Sequence, residues 1–381
     1  MEVRPAIKHE RVCLMDNIIA PNEQIRKFFF EKHLDFLTSV PQQRIQEIIL
    51  SSCTRGNSGK LTDFADVFPV HRTTYGHFLS KGKWDEEKVA KIQKSESFQT
   101  ISKLAEPQKA PVFISIDDTV IPKTKPSSKA KGPTEGTSWH YSHLEGKVVY
   151  GYQVHAAIVS TGDTSLCYSL KRCDKANATK IDMTRDIIES VPDQVGAYFL
   201  MDNWYTNPAI LPTCEKKGCF LIGAMKTNRI LYPNGQKTSA VDYAKSLLPD
   251  QFHPVTVKGR TYLLHRYEGP LNKIPHAVVR LSYPENAFGQ SGALRVFLCS
   301  DSSLDDETIL FYYSNRWRIE VMFRSQKRYM AFKSFMVRTI KAFDRLLIIL
   351  CLAHFFFTCG LGLILPFHAG ILAARAAFAI F

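Results

Sequence analysis

The chain has 381 residues, 45% of them hydrophobic and 22% charged, and its 49 Lys and Arg against 36 Asp and Glu give a formal charge of +13. This composition excludes a disordered or fibrous protein and leaves room for a large core in two or three domains. The cationic excess points to a polyanionic partner, either nucleic acid or an anionic membrane surface.

The cysteines at 13, 53, 167, 173, 214, 219, 299, 351 and 359 are odd in number and include no CxxC pair. They read as reduced, mostly buried thiols, not as a disulfide framework or a zinc ribbon. The opening "MEVRPAIKHERVCLMDN" is charged at once and lacks an apolar segment, so no secretory signal is expected and the expected location is the cytoplasm.

Residues 1–106 read as a helical N-terminal domain. "NEQIRKFFFEKHLDFLTSV", "PQQRIQEIILSS" and "WDEEKVAKIQKSESFQTISKLAE" show helical apolar spacing between breaks. Within it, "HRTTYGHFLSKGKWDE" reads as a short basic helix running into a turn, and Arg72, Thr73, Tyr75, His77, Lys81 and Lys83 are candidates for phosphate contacts. This is the expected DNA-binding part of the chain.

Residues 107–237 change character to strands: "VFISID", "KVVYGYQVHAAIVS" and "SLCYSLKRC", the last two joined by the turn "TGDT", then "AYFLMD" and "CFLIGAM", each preceded by a helix-like segment. Three strands followed by helix, strand, helix, strand predict an antiparallel meander that continues through crossover helices, an α/β mixed sheet with flanking helices. The basic loop 123–138, rich in Pro, Ser and Gly, is expected to be mobile unless something anionic orders it. Residues 238–304 form a β-rich insertion, residues 305–360 a helical region, and residues 361–381 an apolar tail. From Leu346 to Ala374 there is no Asp, Glu, Lys or Arg, and "LLIILCLAHFFFTCGLGLILP" has the length of a membrane span. Because it follows an amphipathic segment and contains His354 and Thr358, a buried core helix is the preferred reading.

Chemistry concentrates at three places. "VFISID" and "AYFLMD" close on acids, Asp117-Asp118 and Asp202, where a strand end faces the rim at which ligands bind. Alternation sets Ile114, Ile116 and Asp118 on one side and Phe113, Ser115 and Asp117 on the other, which favours Asp118 with Asp117 as the alternative. In "YSNRWRIEVMFRSQK", helical spacing puts Tyr313, Arg316, Glu320, Arg324 and Lys327 on one face, with Phe311, Tyr312, Ile319, Met322 and Phe323 on the other. Three carboxylates brought together need a cation between them, and oxygen-only ligands suit Mg²⁺ or Mn²⁺. Cations flanking Glu320 make sense if they hold a phosphate backbone.

Tyr313, Arg316, Glu320 and Lys327 meet the spacing Y-x2-R-x3-E-x6-K, and "ISIDDT" and "FLMDNWYTN" resemble first and second aspartate motifs. Over roughly residues 107–350 the chain resembles bacterial insertion-sequence transposases of the Insertion Sequence Four type, members of the DDE superfamily. The resemblance implies a ribonuclease H-like core, with Asp118, Asp202 and Glu320 as catalytic and metal-binding triad, and Mg²⁺ or Mn²⁺ as the only cofactor. It also implies that Tyr313, Arg316 and Lys327 handle the DNA strand, and Arg324, in the same cationic flank, is a further candidate for a phosphate contact. The partners so implied are double-stranded DNA, namely transposon-end inverted repeats and target, with a homodimer assembling on the ends and the protein at the nucleoid. Trp204 is a candidate for stacking on an unpaired base, against plain core packing. The apolar tail departs from the family's polar C-terminal region and reads as that of a decayed or frameshifted copy.

Two other readings remain. A stand-alone metal-dependent nuclease needs the same carboxylates but no stripe for a cut end. A non-catalytic DNA-binding or membrane-attached protein gives no reason for strand-end aspartates, whose charge opposes phosphates. A two-carboxylate glycosidase would need neither the charge nor the cationic flank.

Overall fold

The computed structural model describes residues 21–127, 134–142 and 145–378. The expectations for residues 1–20, including Cys13, for the middle of loop 123–138 and for the last three residues of the tail fall outside these. The first helices are α1 (Pro21–Glu31), α2 (Ser39–Ser52), α3 (Leu61–Ala65), α4 (Arg72–Lys81) and α5 (Glu86–Ala105). His71 caps α4 by accepting from the Thr73 amide, and Asp85 caps α5 by accepting from that of Lys88. Arg72, Thr73, His77, Lys81 and Lys83 are exposed, as a phosphate-contacting helix requires. Tyr75 is not. It shares its helix face with Phe78 and Leu79, is fully buried, and donates its hydroxyl to Glu47 at 2.9 Å, so it is corrected from a phosphate contact to a core residue.

The strands follow as β1 (Phe113–Pro122), β2 (Ser138–Ser142), β3 (Lys147–Thr161) and β4 (Thr164–Arg172). Next come α6 (Lys180–Ser190), β5 (Tyr198–Met201), α7 (Leu211–Lys216) and β6 (Phe220–Met225). Short pieces β7 (Ile230–Leu231), β8 (Thr238–Ser239) and α8 (Ala240–Ser246) lead to β9 (His253–Val257), β10 (Arg260–Leu271), β11 (Ile274–Pro284) and β12 (Arg295–Cys299). Four helices close the chain: α9 (Asp306–Ser314), α10 (Trp317–Tyr329), α11 (Ile340–Cys359) and α12 (Phe367–Phe378).

The chain divides into two compact units. One is built from Met1–Gln108, Asp118–Asp174 and Glu320–Phe381, the other from Lys109–Asp117 and Lys175–Ile319. In the first, β3 pairs antiparallel with β2 (Ser138↔Gly151 to Ser142↔Lys147) and with β4 (Val154↔Arg172 to Thr161↔Thr164). The second half of β1 runs beside β3, where the Lys123 amide donates to the Tyr150 carbonyl at 2.8 Å. Gly151 permits that approach, since a Cβ there would lie 2.0 Å from the Ile121 carbonyl oxygen.

The apolar run forms α11. It is long and apolar enough to cross a membrane, but 83% of its most apolar window is buried inside the protein, which makes it the core helix of this unit. Phe343 stacks on Tyr152 at 3.9 Å, and His354 accepts from the Cys167 amide at 3.3 Å while stacking on Phe367 at 4.2 Å. Arg345, only 2% exposed, donates to the carbonyls of Phe78, Leu79 and Gly82 and pairs with Glu86 at 3.0 Å, so it satisfies the last carbonyls of α4. The cysteines of the described residues are free thiols, all buried except the half-buried Cys359.

In the second unit the first half of β1 pairs parallel with β5, from Phe113↔Tyr198 to Ile116↔Met201, and β5 pairs parallel with β6. Parallel pairs need crossovers, and the segments holding α6 and α7 supply them. β12 then pairs antiparallel with β6, and β11, β10 and β9 continue outward as an antiparallel series. The strands after residue 238 thus extend the core ladder through β12. The fold is α/β with a mixed sheet and flanking helices.

Candidate active site

In the second unit, Asp117 and Asp202 each follow the last pair of the β1–β5 ladder, Ile116↔Met201, so they leave the two strands at one level. The local sequence fixes Asp202 tightly. Its Oδ1 accepts from the amides of Trp204 (2.9 Å) and Tyr205 (3.2 Å), and its carbonyl accepts from the Thr206 amide (3.1 Å) and hydroxyl (2.8 Å). This Asx turn converts a strand end into a rigid carboxylate mount. Gly223 on β6 lets the turn sit close, since a Cβ there would meet Thr206 Oγ1 at 2.1 Å.

Sequence periodicity predicts one helix through Tyr313 and Lys327, whereas two are present. Asn315 ends α9: its side-chain amide donates to the carbonyls of Phe311 (3.1 Å) and Tyr312 (3.3 Å), and the Arg316 amide turns back to Tyr313. Such local side-chain bonds compete with the helix ladder. Phe311 consequently lies exposed, not on the core side as expected. Tyr312 packs inward as expected, and Tyr313, expected on the polar face, is turned inward with it by the break, against a cluster of Phe113, Leu200, Ile222, Cys299 and Ile309.

Arg316 comes out of the turn with Nη1 3.1 Å from Asp117 Oδ2. Tyr313 lies beside it. Burial pushes the Tyr313 phenol up to about 12; Arg316 opposes that shift, and the charges of Asp202 and Asp117 add to it. Tyr313, Arg316, Asp117 and Asp202 therefore form one electrostatic group. Trp204, next to Asp202, is 47% exposed, which removes the core-packing reading, and Lys180 Nζ sits 4.4 Å from its ring centroid.

In the first unit Asp118 Oδ2 accepts from Gln153 Nε2 at 2.6 Å, with Gln153 itself buried. Glu320 is half-buried near the start of α10 and Arg324 is exposed. Lys327 donates to Thr119 Oγ1 at 2.7 Å, and burial lowers its pKa below the ordinary lysine range. β1 does not stop at the acids as expected but runs on to Pro122.

Sequence reading missed Gln153 and Thr119 and gave Asp117 no role of its own. The available signal was the acid doublet followed by a hydroxyl, Asp117-Asp118-Thr119, whose alternation sends neighbours to opposite sides. Among the described residues, no group of three or more His, Cys, Asp or Glu lies close enough together to hold a metal ion. Within the second unit, Asp202 is a carboxylate oriented by two backbone N–H groups, an oxygen donor of the type that suits a hard divalent cation.

A mixed sheet with flanking helices, and acids where a parallel ladder ends, is consistent with a ribonuclease H-like transposase fold. The model of the transposase DDE domain family matches residues 108–356, and the chain belongs to that family. No curated protein matches it.

Proposed function

We propose that this transposase cuts and joins DNA at the terminal inverted repeats of an insertion sequence of the Insertion Sequence Four type, with Asp118, Asp202 and Glu320 as its catalytic carboxylates. Members of this family act on DNA and generally use divalent metal ions. The observation that carries the reading is the grouping of Tyr313 and Arg316 with the turn-mounted Asp202: a phosphate-grade cation and a phenol beside a strand-end carboxylate.

Asp118, Asp202 and Glu320 would hold Mg²⁺ or Mn²⁺, which supplies activation of the attacking oxygen and stabilisation of the leaving one. Gln153 orients Asp118, and the amides of Trp204 and Tyr205 orient Asp202. Arg316, Lys327 and the exposed Arg324 hold phosphates of the transposon-end strand, Tyr313 donates to another, and Trp204 stacks on an unpaired base. The exposed face of α4 contacts the terminal repeat. The protein assembles as a homodimer on paired ends, engages target DNA, and works in the cytoplasm at the nucleoid.

The test is a gel-shift and cleavage assay on one terminal repeat, identified as matched inverted repeats flanking the coding region. Asp118→Asn, Asp202→Asn and Glu320→Gln should each abolish Mg²⁺-dependent cleavage and leave DNA affinity intact or slightly higher. Full cleavage by the Asp202 variant removes the site.

A further inference from the structure

We infer that Asp117 is the positioning residue for Arg316, so that the adjacent acids Asp117 and Asp118 have different tasks. The inference rests on the reading of Asp118 as a metal-binding carboxylate and of Arg316 as a phosphate contact. Successive strand residues point to opposite faces. Asp117 shares its face with Phe113, whose ring meets that of Tyr312 at 5.0 Å, so this is the face of β1 that α9 covers. The helix stops at Asn315 on that same side, and the turn delivers Arg316 to Asp117 Oδ2 at 3.1 Å. Asp118 instead meets Gln153.

The Arg316 and Asp117 side chains are only 18% and 21% exposed, so water screens the pair far less than a surface salt bridge. A guanidinium is a planar fork with five donors, and a contact made by one of them fixes the plane for the rest. Next to a DNA-binding arginine a carboxylate lowers affinity for phosphate. Its benefit is orientation: Arg316 is already aimed when the strand arrives, and placement of a reacting strand is worth orders of magnitude in rate.

The experiment compares the full chain with Asp117→Asn, Asp117→Glu, Arg316→Ala, the double variant Asp117→Asn/Arg316→Ala, and Asp118→Asn. Terminal-repeat affinity, single-turnover cleavage of bound DNA and Mn²⁺ affinity without DNA are measured for each. Asp117→Asn should bind DNA as tightly as the wild type or tighter, cleave about tenfold or more slowly, and keep its Mn²⁺ affinity. Asp117→Glu, which keeps the charge, should recover part of the rate. The double variant should be no slower than Arg316→Ala alone, because Asp117 acts through Arg316. Loss of Mn²⁺ by Asp117→Asn to the extent seen in Asp118→Asn would make Asp117 a metal ligand and overturn the inference. So would wild-type cleavage by Asp117→Asn, or multiplied defects in the double variant. Failure of the underlying site appears separately, as wild-type cleavage by Asp118→Asn.

Discussion

Lys327 Nζ donates to Thr119 Oγ1 at 2.7 Å, two residues beyond Asp117 on the same face of β1. A half-buried ammonium held by a neutral hydroxyl has no charge partner in that bond, and its desolvation lowers its pKa. If this charge holds a phosphate, Lys327→Ala loses cleavage and end joining but keeps its fold and metal affinity. Cleavage by the wild type should fall on the alkaline side, at lower pH than an ordinary lysine would dictate, because the depressed group deprotonates early as pH rises. Lys327→Arg should flatten that limb. Single-turnover rates against pH measure both, and wild-type rates in Lys327→Ala would reduce the residue to a structural contact.

Gly223→Ala tests the mount of Asp202. The new methyl would meet Thr206 Oγ1 at 2.1 Å, and Thr206 is tied to the Asp202 carbonyl, so the turn must move. Overpacking of this kind costs about 1–3 kcal/mol. Cleavage should fall by more than DNA affinity does, and adding Thr206→Ala, which removes the clashing hydroxyl, should restore part of it. Equal losses of cleavage and affinity would argue against a positional role.

Arg280 is completely buried on β11 and its Nε lies 2.5 Å from Asp306 Oδ1, at the start of the helix that carries Tyr313. Asp306 also meets Arg266 at 3.6 Å and His253 at 2.9 Å. Asp306→Ala leaves a buried cation with no countercharge in this cluster and should cost about 3–5 kcal/mol. Replacing both partners, Arg280→Met with Asp306→Leu, should recover much of that. Urea midpoints would show it, and a loss below about 1 kcal/mol would mean that water reaches the cluster.

Burial pulls the His354 imidazole down to about 3, against about 6.5 in an unfolded chain. The folded state therefore binds fewer protons between these values, so stability is full above about pH 6.5 and declines as pH falls toward 3, by about 3 kcal/mol at pH 4. His354→Asn keeps an acceptor for the Cys167 amide but cannot titrate. Denaturant unfolding from pH 7 to 4 should show the wild type losing more stability than the variant; parallel curves would contradict a neutral buried imidazole.

The mixed sheet was legible because β1, β3 to β6 and the crossovers carry strong apolar patterns, and the apolar run at 346–360 was legible as a core helix from its polar interruptions, His354 and Thr358. β2 was not: "SWHYS" closes a basic loop and earns its strand only by pairing with Lys147–Gly151. The break at Asn315 escaped periodicity because a single side-chain amide makes it. The position of Asp202 at the close of a strand was visible in the apolar run before it. The acceptors of Arg316 and Lys327 were not, since Asp117 and Thr119 lie some 200 positions away and only folding brings them together.

The first unit draws on three separated stretches of chain, and Arg345 from the last of them closes the C-terminal end of α4 near the beginning. A gene interrupted between residues 175 and 320 would still encode every helix of the N-terminal region. Its product, however, would lack α11, the helix around which they pack. Such fragments should be cleared by proteolysis and not persist as competitors for DNA. On the proposed function, a copy truncated in this way would neither act nor hinder an intact copy, so N-terminal debris would place no brake on the full-length protein.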